Sequence, residues 1–102
     1  MKLTNLLIGT VMLIGSMSAH AASMTIKLNG KYILSSDTRV IAVKDLNCNQ
    51  DLGQFSLSGN QVIPITICKN ESGYGNIQYR NITNNGQWVN SSLLSEGDEV
   101  SP

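Results

Sequence analysis

Three dipeptides, Asn29-Gly30, Gly59-Asn60 and Asn85-Gly86, each stand between short apolar runs in the part of the chain after residue 21. Asn-Gly suits a two-residue type I′ turn, in which both central residues need positive φ, and a leading Gly suits type II′. Three such reversals between runs of four to eight residues leave no room for long helices. The spacing predicts hairpins. Thr25–Leu28 faces Lys31–Leu34, Gln54–Leu57 faces Gln61–Ile67, and Asn76–Thr83 faces Gln87–Asn90. In the middle hairpin, Leu57 falls opposite Val62 and Phe55 opposite Pro64, giving one apolar face and one largely polar face, as a half-buried antiparallel pair requires. Pro64 cannot donate to a ladder, which places it on an edge or at a bulge. In the last hairpin a three-residue loop sets Ile82 opposite Trp88 and buries more than a two-residue turn that pairs Thr83 with Trp88.

Val40, Ile41 and Val43 are β-branched and predict a further strand over Arg39–Lys44. Asp45–Gly53 and Lys69–Gly75 are polar and read as loops. No stretch after residue 21 carries a helical period. The expected fold is all-β: a small antiparallel sandwich or barrel of about seven short strands built from hairpins.

The N-terminus has a different character. Lys2 precedes a mostly apolar, uncharged run from Leu3 to Met17, and Ala19-His20-Ala21 places small residues where a signal peptidase reads them. This is the layout of a secretory signal peptide, and the run is short of the roughly 20 apolar residues that a spanning helix needs. The expected organisation is therefore a cleaved signal peptide over 1–21, one β domain over 22–94 and a flexible acidic tail over 95–102. The expected location is the periplasm or the medium, with no stable membrane insertion after cleavage.

Export gives Cys48 and Cys68 a meaning. In an oxidising compartment an even pair in a small domain reads as a disulfide, and no Cys-x-x-Cys spacing suggests a redox centre. The single histidine, His20, lies in the signal segment, so the mature chain has neither the commonest general base nor the commonest metal ligand. There is no Gly-x-Ser-x-Gly or Ser-x-x-Lys. Asp45, Asn47, Asn49 and Asp51 alternate as calcium ligands can, but the glycine and terminal glutamate of a helix-loop-helix site are missing, and Asx turns explain the same residues. The six basic residues left after Lys2 is removed are scattered, which argues against nucleic acid and anionic membrane as partners.

The expectation for function follows: a non-catalytic exported binding protein without metal or cofactor, contacting a protein or glycan, with inhibition of an envelope or extracellular enzyme as one form. The alternative is a self-associating structural or assembly protein such as a surface coat protein, a minor pilus subunit or a toxin binding subunit. Tyr74, Tyr79, Arg80 and Trp88 are the candidate contact residues, because Tyr, Trp and Arg anchor most interfaces. The motifs identify no family. Intact mass of the secreted product checks the processing step: the expected chain starts at Ala22, and a product retaining Met1 would remove the signal-peptide reading.

Overall fold

The computed structural model describes residues 22–102. The expected signal peptide lies outside the described residues. Seven strands follow one another: β1 (Ser23–Asn29), β2 (Thr38–Asp45), β3 (Gln50–Ser58), β4 (Val62–Cys68), β5 (Gly75–Asn81), β6 (Val89–Leu94) and β7 (Glu99–Val100). They form two sheets, one of order β4-β1-β7 and one of order β3-β2-β5-β6. The all-β expectation holds, with one disulfide and no helix among the described residues.

Alternation builds the core. Met24, Ile26 and Leu28 of β1, Ile65 and Ile67 of β4 and Val100 of β7 face inward from the smaller sheet. Ile41, Val43, Leu57, Ile77 and Leu94 face them from the larger one, and Ile33 closes one end. Period-two spacing is what puts these side chains on one face of each strand. Arg39–Lys44 lies within β2, as its β-branched residues predict.

The strand partners differ from the sequence expectation. Residues 31–34 form no strand, and β1 pairs instead with β4, Ile26 opposite Ile65, and in parallel with β7, Leu28 opposite Val100. Neither Asn29 nor Gly30 takes a positive φ, so the type I′ turn does not form. The middle hairpin is also absent. Leu57 pairs with Arg39 and Val62 with Asn29, so the chain crosses from one sheet to the other at Gly59-Asn60. The Gln61 amide donates to the Ser58 carbonyl, and positive φ falls at Asn60 (61°), the third position. That is the pattern of a type II turn, which does not suit a two-stranded ribbon. Gly59 and Gly30 serve close approach instead: a Cβ on Gly59 would meet the Leu34–Ser35 backbone, and one on Gly30 would meet the Ser58 carbonyl.

Two hairpins do form. β5 pairs with β6, Tyr79 opposite Val89, but the connecting loop runs from Ile82 to Trp88 and leaves both expected Trp88 pairings unmade. β2 pairs with β3 through Leu46–Asn49, in the segment read as loop; residues 50–53 are strand. A bulge explains why that strand is hard to read. Val43 faces Gly53 and Lys44 faces Asp51, so Leu52 is an extra residue, and Gly53 takes φ 90°. The bulge lets Leu52 and Phe55 both pack on the core and breaks the alternation. Pro64 sits on β4, an edge strand, as its missing N–H demands.

The segment expected as a flexible acidic tail is instead tied to β1. Gly97 donates to the Thr25 carbonyl, the Lys27 amide donates to Asp98, and the Glu96 carboxylate accepts from the Thr25 amide. Val100 enters the core at 5% exposure. One apolar residue among acidic neighbours is enough to add a short strand when a partner edge is open.

Cys48 and Cys68 are joined, with Cα atoms 6.0 Å apart, and the bond ties the β2–β3 turn to the end of β4 in the other sheet. Such a bond suits an oxidising compartment. Beside it lies Asp45, the one buried charged side chain among the described residues. Its Oδ1 accepts from the Asn47 and Cys48 amides at 3.1 and 3.3 Å, and its Oδ2 accepts from the Cys68 amide at 2.8 Å. Three donors satisfy a carboxylate that would otherwise be costly to bury. Replacing both cysteines by serine is expected to lower the urea unfolding free energy by about 3 kcal/mol. Asp45→Ala should cost about 2–3 kcal/mol with the disulfide intact, because it strands buried amides. A loss below about 0.5 kcal/mol in either case would refute the assigned role.

Candidate functional site

The four sequence candidates separate into three environments. Tyr74 ends the loop after β4. Asn70 organises that loop: its Oδ1 accepts from the Ser72 and Tyr74 amides at 2.9 and 3.0 Å, and Gly73 takes φ 88°. Asn47 Nδ2 donates to the Cys68 and Tyr74 carbonyls at 3.0 Å each, which fastens the loop to the disulfide corner. The Tyr74 side chain is exposed on this fixed backbone. Tyr79 points the other way. It lies opposite Val43 on the inward face of β5, half-buried, and packs against the core.

Arg80 and Trp88 come together. The outward face of the larger sheet carries Ala42 and Lys44 on β2, Gln54 on β3 and Arg80 and Gln78 on β5. Ala42 pairs with both Gln54 and Arg80, and Lys44 with both Asp51 and Gln78. Trp88 precedes β6, beside this face. Ala42, Lys44, Asp51, Gln54, Arg80 and Trp88, with Gly53 and Ile82, line a shallow groove of about 430 Å³. Its floor is low because Ala42 is small and Gly53 has no side chain. Lys44, Arg80 and Trp88 supply its taller walls.

The groove is electrostatically organised. Lys44 Nζ stands 4.3 Å from the centroid of the Trp88 ring, a cation–π contact worth about 0.5–1 kcal/mol at a solvent-exposed position. Arg80 Nε donates to the Gly86 carbonyl at 2.9 Å, which holds the guanidinium to the loop before Trp88. Asp51 Oδ1 accepts from the Gly53 amide at 2.8 Å. The only ion pair among the described residues is Arg39–Asp37 at 3.2 Å. Lys44, Arg80 and Asp51 thus all face the groove without a charged partner, and the sum is one positive charge.

The alternating Asp45, Asn47, Asn49 and Asp51 have local roles. Asp45 turns inward, Asn47 donates to carbonyls, Asn49 takes φ 50° to close the β2–β3 turn, and Asp51 caps the bulge. Asp45 lies close to both cysteine sulfurs, but those sulfurs are bonded to each other.

Sequence reasoning missed several residues here. Lys44, Asp51, Gln54 and Ala42 join the groove only through register across three strands. Tyr32 and Leu34, assigned to a hairpin strand, are instead the most exposed large apolar side chains in the loop after β1, at 76% and 70%. An odd-even count on β2 could have put Lys44 on the outward face, opposite in sense to Ile41 and Val43.

These features define a small disulfide-braced β-sandwich with a polar groove on one sheet. No family model, no curated protein and no solved structure matches this chain.

Equilibrium unfolding of two variants distinguishes groove from core. Tyr79→Ala is expected to lose about 2 kcal/mol through lost packing, whereas Trp88→Ala should lose no more than about 1 kcal/mol. Equal losses would place Trp88 among the packing residues.

Proposed function

We propose that this chain is an exported, non-catalytic binding module that contacts its ligand through the groove around Trp88 and Arg80. The observation that carries the reading is the convergence of an aromatic wall, two cations and one carboxylate on an otherwise solvent-facing sheet. Aromatic and Arg side chains held in place by their own contacts are the usual anchors of recognition. Nothing in the arrangement pairs a nucleophile with a base, which favours binding over chemistry. The disulfide, together with the N-terminal apolar segment and its Ala19-His20-Ala21 site, supports export to the periplasm or the medium.

Self-assembly, the alternative, has less support. Edge strands polymerise when they are long and flat. Here β4 carries Pro64, β7 has two residues, β3 contains the Gly53 bulge, and β6 is broken by a register shift with Leu93 at φ 57°. Each device weakens edge pairing.

The test uses the oxidised chain, immobilised and exposed to envelope and host extracts. Wild type should retain one dominant species, and Arg80→Ala/Trp88→Ala should lose it while keeping a cooperative unfolding transition, with the melting temperature lowered by no more than about 10 °C. Equal retention by the variant would remove the groove from the reading. Recovery of the chain's own copies alone would favour assembly.

A further inference from the structure

We infer that the groove takes a saccharide bearing a carboxylate, of the uronic-acid class. The inference rests on the groove being the contact surface, and three observations carry it.

The first is the cation pattern. Lys44 stands directly opposite Gln78 on β5, so Arg80, two residues on, is its diagonal neighbour on the same face. Diagonal positions lie about 7–8 Å apart, and long side chains reach across that gap. Arg80 has no carboxylate within ion-pair distance among the described residues, and its Nε is already committed to the Gly86 carbonyl. That bond orients the remaining guanidinium N–H groups. A planar carboxylate is their geometric match, because it accepts two parallel hydrogen bonds from one guanidinium. Lys44 is opposite Asp51 in register, yet its ammonium lies over Trp88. The site is therefore left with an uncancelled positive charge.

The second is the aromatic wall. A pyranose ring presents a face of C–H bonds, slightly positive, to which the negative face of an indole is complementary. Trp88 is 37% exposed and the Lys44 ammonium stands over one face of its ring, so a pyranose would stack on the face away from that ammonium. Around it stand Gln54 and Asp51, an amide and a carboxylate, which together donate to and accept from hydroxyl groups. Asp51 has one oxygen on the Gly53 amide and no protein hydrogen bond to the other among the described residues.

The third observation weighs against a peptide carboxylate. An extended peptide gains affinity by adding to a sheet edge. The floor of this groove lies across β2 and β5, whose backbone groups are paired within the sheet, and the edge strand that walls it, β3, is broken by the Gly53 bulge. The floor therefore offers side chains rather than an open ladder, which suits a polyol more than a strand.

The chain has a single tryptophan, so its fluorescence reports on the groove directly. The oxidised protein is titrated with a galacturonic acid trimer and, separately, with the fully methyl-esterified trimer, which keeps the rings and loses the charge. The acid is expected to change Trp88 emission saturably. The ester should bind about tenfold to a hundredfold more weakly, the range for a charge-assisted hydrogen bond. Arg80→Ala should bring acid and ester to the same weak affinity, and Arg80→Lys should recover only part of the difference. Raising the salt from 0.05 to about 0.5 M should weaken the acid alone. Far-ultraviolet circular dichroism and the melting temperature of each variant establish that it is folded. Equal binding of acid and ester would overturn the carboxylate and leave a saccharide groove standing. Absence of binding by both would overturn the saccharide assignment, and the capture experiment with the groove variant would then decide separately whether the groove is a contact surface.

Discussion

Asp45 and the Cys48–Cys68 bond form the clamp on which the rest of the molecule depends. The carboxylate gathers the amides of Asn47, Cys48 and Cys68, which come from the β2–β3 turn of one sheet and the end of β4 in the other. The disulfide closes the same corner covalently. A domain this small buries too little apolar surface to hold two sheets together with a wide margin. A covalent bond lowers the entropy of the unfolded chain, which contributes about 3 kcal/mol at room temperature, and a satisfied buried charge makes one corner geometry better than its competitors. Asn47 then extends the clamp to the Tyr74 loop through its two carbonyl contacts.

From that corner the larger sheet acquires its outward face. β2 and β3 leave the turn paired, and the Gly53 bulge bends β3 and turns Leu52 inward. The consequence on the other side is a low floor of Gly53 and Ala42, with Lys44 and Arg80 raised beside it. The groove thus follows from the same irregularity that fills the core. In the proposed reading, recognition falls to side chains on this face because the strand edges are short, bent or interrupted by proline, and offer little backbone to a partner.

Much of the fold class was legible because it depends on local chemistry. The β-branched Val40, Ile41 and Val43 favour a strand, and two cysteines in a chain of this kind have one another to pair with. Pro64 announced an edge. The turn dipeptides marked chain reversals correctly but not their partners. Asn29-Gly30 and Gly59-Asn60 resemble hairpin turns, yet the two glycines are there because backbones pass close to them. Val100 gave no periodic signal, since a two-residue strand has no period to show.

The candidate site was half legible. Arg80 and Trp88 could be picked out as residue types that make contacts, and both line the groove; Tyr74 and Tyr79 share that chemistry but stand at the disulfide corner and against the core. The amino-acid sequence by itself determined that the chain is all-β, that it is punctuated by turns near those three dipeptides, and that Cys48 and Cys68 would be the covalent tie. The first two rest on the preferences of residues within a few positions of one another, and the third on there being two cysteines after residue 21. Only the tertiary structure decided which strands pair, that Glu99–Val100 adds to β1, and that Lys44, Asp51 and Arg80 share a surface. Strand pairing is set by competition among distant edges for the same hydrogen bonds and the same buried volume, and a shift of one residue in register would have sent each of those side chains to the opposite face.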